Sequence, residues 1–149
     1  MDALNFLKHQ HREVEALFNK VAHAKDAAER ATLFQQIDRD LRVHTVIEED
    51  VLYSELRRRA EKAEQRIEVA QAFEEHALVK TMLEGIEGLE PGQEQFQAKL
   101  NVLKDLVQHH VDEEEGTMFK IAHHLFNKEE LEELGHRLQL AASQATVPV

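Results

Sequence analysis

The sequence predicts an all-α protein, specifically an up-down four-helix bundle with a short additional C-terminal helix. Three observations point there. Proline occurs only at 91 and 148, and glycine is sparse. Ala, Leu, Glu, Lys, Gln and Arg, the strong helix formers, dominate the chain. Apolar residues recur at helical rather than alternating spacing.

The first stripe runs Leu4, Leu7, Val14, Phe18, Val21. The second runs Leu33, Ile37, Leu41, Ile47, Val51, the third Val69, Phe73, Val79, Leu83, Ile86, and the fourth Leu100, Leu103, Leu106, Val107. Each covers one face of an amphipathic helix. The segment "GLEPGQE" around Pro91 supplies the clearest stop and restart between helices. After the fourth helix, "NKEELEELGHRLQL" reads as a shorter fifth helix over about 127–143, with Asn127 as N-cap and Glu130 three residues on. Gly116 is expected to interrupt the fourth helix, and the tail "SQATVPV" to fray. The 149 residues read as a single domain with a core bundle over about 3–122. A domain of that size buries roughly two-thirds of the surface its unfolded chain exposes.

The chain also repeats itself. Displaced by 65 residues, Leu4, His11, Val14, Phe18 and Val21 fall on Val69, His76, Val79, Leu83 and Ile86. Displaced by 66, Ile37, His44, Glu48, Glu49 and Tyr53 fall on Leu103, His110, Glu114, Glu115 and Phe119. Two similar helical hairpins related by an approximate two-fold axis are expected.

Composition narrows the function. Eighteen Lys+Arg against 29 Asp+Glu give a formal charge of -11, which disfavours nucleic-acid phosphates and anionic membrane surfaces. Without cysteine, disulfides, iron–sulfur ligation and thiol nucleophiles are excluded. No spanning apolar run or secretory leader is visible, so a cytoplasmic protein is expected. Walker, nucleophile-elbow and dinucleotide glycine patterns do not occur. Any transition-metal site must come from carboxylates and the ten histidines.

Four histidines replace apolar residues within the stripes. His11 lies between Leu7 and Val14, His76 between Phe73 and Val79, His44 after Ile37 and Leu41, and His110 after Leu103 and Val107. Residues four apart share a helix face about 6 Å apart along the axis, so Glu48 turns inward with His44 and Glu114 with His110. An inward carboxylate without a partner would cost several kcal/mol, and a bound cation is the simplest compensation. Four imidazoles and two carboxylates suffice for two ions bridged by the carboxylates, with exchangeable positions left over. Such donors suit Fe, Mn or Zn better than copper(I). The repeat register selects His110 over its neighbour His109, whose own pair would be Glu113. His9, His23, His123, His124 and His136 read as ordinary surface residues.

Through "HREVEALF", "HTVIEEDVLY", "EEHALVKTML" and "HHVDEEEGTMF", from about Leu4 to Phe119, the chain resembles the hemerythrin-like, or HHE cation-binding, domain. The resemblance implies a non-haem iron pair, oxo- or hydroxo-bridged, held by His11, His44, Glu48, His76, His110 and Glu114. It implies binding of or reaction with O₂, peroxide or nitric oxide. Carriage, sensing or storage and enzymatic turnover all stay open, with a metal-free or zinc-holding interaction bundle as the alternative. One departure bears on oxygen carriage: the oxygen-carrying members resemble HxxxH on the third helix and HxxxxD on the fourth. Here Lys80 stands four after His76, and the fourth helix offers HxxxE. Tyr53 and Glu15 are the candidates for an extra ligand or a supporting contact. Glu15 is expected to pair with Lys80. Tyr53, nine residues after His44, falls opposite the ligand stripe on an unbroken helix.

Overall fold

A computed structural model describes residues 1–145. Helix α1 (Ala3–Ala22) starts where Asp2 accepts the Asn5 backbone N–H at 2.8 Å. Helix α2 (Ala27–Ile47) starts the same way, Asp26 accepting from Glu29 N–H at 2.8 Å. In both, a short side-chain oxygen satisfies an N–H that the first turn leaves without a carbonyl. Helix α2 runs without a break through the π-turn π1 (Glu48–Tyr53) into α3 (Ser54–Arg59). Then come α4 (Ala63–Glu87) and α5 (Glu94–Glu113), the latter continuing through π2 (Glu114–Met118) into α6 (Phe119–Leu125). Helix α7 (Lys128–Gln144) opens on the expected capping box between Asn127 and Glu130.

The described residues thus form five continuous helices and contain no strand. The break around Pro91 falls between α4 and α5, where the repeat places the hairpin turn. Gly116 does not interrupt the chain; it lies inside π2, and the helix passes through it. Of the expected frayed tail, Ser143 and Gln144 finish α7, and residues 146–149 lie outside the described residues. No helix among the described residues is long and apolar enough to cross a membrane.

Two apolar blocks make the interior. One gathers Val14, Phe18, Val21, Phe34, Ile37, Leu41, Val79, Leu83, Ile86, Phe96, Leu100 and Leu103 from α1, α2, α4 and α5. The other gathers Leu4, Leu7, Ile47, Leu52, Leu56, Val69, Met118, Phe119 and Phe126, and α7 adds Leu131, Leu134 and Leu138. Each fully buried Leu or Ile contributes roughly 1.5–3 kcal/mol. The four stripe histidines fall between these blocks along every helix, so the polar groups form a layer held from both sides by apolar packing.

Helix α7 packs against α1, α2 and π1. Its seat depends on Gly135, where an added Cβ would stand 2.3 Å from the Met1 carbonyl oxygen. Only a residue without a side chain lets the start of the chain lie that close to the α7 backbone.

Candidate metal centre

The fold brings together all six residues singled out by the stripes. His11, His44, Glu48, His76, His110 and Glu114 are buried, and the two carboxylates are the least exposed, at 0 % for Glu48 and 1 % for Glu114. His11 comes from α1, His44 and Glu48 from the α2–π1 helix, His76 from α4, and His110 and Glu114 from the α5–π2 helix.

Their donor atoms form two overlapping groups. His11, His44, Glu48 and Glu114 place one atom each within 4.8 Å of one another, and so do Glu48, His76, His110 and Glu114. Both groups use both carboxylates. The Nε2 atoms point inward: His11 Nε2 lies 3.1 Å from Glu114 Oε1, His44 Nε2 3.4 Å and His76 Nε2 3.0 Å from Glu48 Oε1, and His110 Nε2 3.3 Å from Glu114 Oε2. Yet His11 Nε2, His44 Nε2, Glu48 Oε2 and Glu114 Oε1 are buried without a well-aligned hydrogen bond. Buried polar atoms are rarely left so. Four of them converging from three helices fit a metal cation, since imidazole nitrogen and carboxylate oxygen are donors suited to first-row ions.

The outer ring nitrogens are all satisfied. His11 Nδ1 bonds Glu115 Oε2 at 2.7 Å, His44 Nδ1 bonds Gln10 Oε1 at 2.7 Å, His76 Nδ1 bonds Glu49 Oε2 at 2.8 Å, and His110 Nδ1 bonds Glu75 Oε1 at 2.7 Å. An acceptor at Nδ1 keeps the proton there and leaves Nε2 free as a ligand, while fixing the ring plane. The second Glu of each doublet therefore serves the lone histidine of the other helical hairpin, while the first Glu faces the centre.

Opposite charges within the layer shift one another's pKa values. Burial alone would push a histidine's pKa down, but the contacts with Glu114 and Glu115 and their negative charges raise His11 to about 9. The same opposition, won by Glu114, Glu48 and Glu75, raises His110 to about 12. Burial would raise Glu48, but the charge of His44 and the bonds to His110, His44 and His76 hold it well below the ordinary carboxylate range. His11 and His110 are thus favoured as proton bearers and Glu48 as an anion, and a divalent cation would compete with those protons for the imidazoles.

Tyr53 corrects the expectation from an unbroken helix. It lies at the centre, fully buried, with its hydroxyl 2.9 Å from Glu48 Oε1 and hydrogen-bonded to Glu114 Oε2. The same oxygen is 3.3 Å from the Nε2 atoms of both His76 and His110. The cause is π1: the Ser54 N–H bonds the Glu49 carbonyl five residues back, so the widened turn swings residue 53 back over residue 48. Burial, with the charges of Glu114 and Glu48, holds the phenol well above its usual pKa. In π2 the Phe119 N–H likewise bonds the Glu114 carbonyl, and the Phe119 ring stacks on His11 with centroids 6.5 Å apart.

Glu15 is also corrected. It is not part of the layer and does not pair with Lys80; its half-exposed carboxylate accepts from Arg12 at 2.9 Å. Position i+4 from His11 lies farther along the helix, level with Phe18 and Lys104 at the edge of the layer. His109 is exposed, 3.8 Å from Glu75, whereas His110 is buried.

Beside the inward histidines lies a small cavity lined by Val14, Leu41, Val79, Val107 and Val111 together with His11, His44, His76 and His110. It offers about 20 Å³ to the centre of a water-sized sphere, room for one small molecule.

Known proteins resemble this chain over most of its length. A crystal structure of a hemerythrin HHE cation binding domain-containing protein from Mycobacterium kansasii matches with a TM-score of 0.85 at 27% identity, over 97% of this chain and 86% of that one. A protein of a Nostoc species described as a DNA nickase is 26% identical over 144 residues. That match takes in 97% of this chain and 40% of the relative, so the chain spans less than half of that relative's length. The model of the hemerythrin HHE cation binding domain matches residues 2–122. With a family match over most of its length and a buried His/Glu layer of metal-ligand character, the chain belongs to the hemerythrin HHE cation-binding domain family.

Proposed function

We propose that the protein holds two non-haem iron ions in the His/Glu layer of an up-down four-helix bundle, with α7 laid against one side, and that the iron pair binds or reacts with O₂, peroxide or nitric oxide. The observation that carries the reading is the pair of overlapping donor groups sharing Glu48 and Glu114: two histidines for each ion, and two carboxylates between them. Bound iron would supply one-electron redox chemistry and open positions for a small ligand.

The remaining work belongs to the chain. Glu48 and Glu114 carry the negative charge that offsets the ions, and Glu115, Gln10, Glu49 and Glu75 hold the four rings with Nε2 inward. The valine- and leucine-lined cavity keeps the reacting face dry and small, favouring a diatomic molecule or hydrogen peroxide over bulkier substrates. Tyr53 places a hydroxyl against both carboxylates, where it holds a proton within reach of the centre.

Nicking of DNA, the activity named for the Nostoc relative, is not part of this proposal. A formal charge of -11 opposes the approach of a phosphate backbone. The test is to expose the anaerobic, ferrous protein in turn to O₂, peroxide and nitric oxide while following its optical spectrum. A change with at least one of them is expected. Reversal on removing the gas identifies carriage or sensing, and sustained peroxide or nitric-oxide consumption identifies an enzyme. A spectrum indifferent to all three would contradict the proposal.

A further inference from the structure

The four Nδ1 acceptors obey the internal repeat. Gln10 and Glu75 both stand one residue before a layer histidine, 65 apart, and each reaches the histidine of the next helix in its own hairpin. Glu49 and Glu115, 66 apart, both follow a layer carboxylate and reach across to the lone histidine of the other hairpin, His76 and His11. The four bonds span only 2.7–2.8 Å, so their geometry is equivalent. Their chemistry is not: three acceptors are carboxylates and one, Gln10, is a neutral amide.

A carboxylate at Nδ1–H draws the proton toward itself and makes Nε2 a stronger donor; an amide oxygen does so less. The His76 and His110 rings both have carboxylate partners. His11 has Glu115, but Arg12 also bonds that carboxylate, at 2.6 Å, and takes up part of its charge; Ala77 stands at the repeat position of Arg12. His44 has only the amide. The phenol of Tyr53 contacts His76 and His110, whereas the unreactive Phe119 ring faces His11.

We propose that Gln10 and Glu75 are positioning residues that make the two metal positions unequal, so that the His76–His110 position binds its ion more tightly and fills first. This rests on the two-ion reading above.

The test is titration of chelator-stripped protein with cobalt(II), followed by visible absorption and calorimetry, with circular dichroism to check helicity. Two resolved steps are expected. Glu75→Gln should weaken the tighter step about ten- to hundredfold, the usual effect of losing such a partner, and leave the other in place. Gln10→Glu should tighten the weaker step by a similar factor and bring the two together. His44→Ala should abolish the weaker step first. Two equal steps in the native protein, substitutions that leave the ratio of the steps unchanged, or loss of the tighter step in His44→Ala would overturn the inequality. Absence of any cobalt binding would instead overturn the metal-centre reading on which it stands.

Discussion

At the scale of single residues, the six residues of the layer are legible because they break a rule. A histidine at the position of a leucine, with a glutamate one turn on, has no reason to face a core unless something there compensates it. His11, His44, Glu48, His76, His110 and Glu114 all violate an apolar stripe, and all six are buried. The Nδ1 partners were not legible in the same way. Glu49, Glu75, Glu115 and Gln10 sit about 100° off the stripe, where a charged residue normally meets water, and only the repeat of their positions distinguishes them. Tyr53, a candidate for a supporting contact, falls opposite the stripe only while the period of an α-helix is carried through a turn that is not α; π1 brings its hydroxyl to the centre. The hydroxyl lies against two buried carboxylates and has one proton to donate to either of them. Tyr53→Phe should therefore destabilise the chelator-treated protein by about 1–3 kcal/mol, the cost of leaving a buried charged acceptor unsatisfied. Denaturant melts of the two forms measure it, and equal midpoints would show that the hydroxyl does not hold the carboxylates.

At the scale of elements, the helices and their caps followed from composition, spacing and short polar residues, as at Asp2, Asp26 and Asn127. The π-turns did not. Each starts at a layer carboxylate, Glu48 or Glu114, and ends beside an aromatic residue, Tyr53 or Phe119. An aromatic side chain that the α period turns outward at the same place in both halves was the available signal. Glycine is a poor helix former, yet Gly116 lies inside π2, where its Cβ position meets nothing within 4 Å, so its presence there reflects tolerance rather than an interruption. Gly135 is the opposite case. Replacing a helical glycine by alanine normally gains about 1 kcal/mol, yet Gly135→Ala would drive a methyl into the backbone at Met1 to Ala3. The expected outcome is a lower melting temperature and looser docking of α7, read by thermal unfolding and by hydrogen exchange at Leu131, Leu134 and Leu138. A higher melting temperature would show that α7 does not depend on that close approach.

At the scale of the molecule, the repeat explains why a pair of half-sites forms at all. Each hairpin brings one lone histidine and one HxxxE, three donors in all, and each donor group is completed to four by the carboxylate of the other half. Packing the halves face to face buries the two carboxylates between two apolar blocks, a layer that a metal would stabilise. The family match over residues 2–122 spans that layer entirely. The central claim is that these six side chains hold iron, and metal content tests it most directly. Protein purified after growth in iron should carry two irons per chain, one for each donor group. His44→Ala combined with Glu114→Ala should carry little or none while keeping its helical circular dichroism. A native protein free of iron, or a double variant that keeps its full complement, would contradict the account.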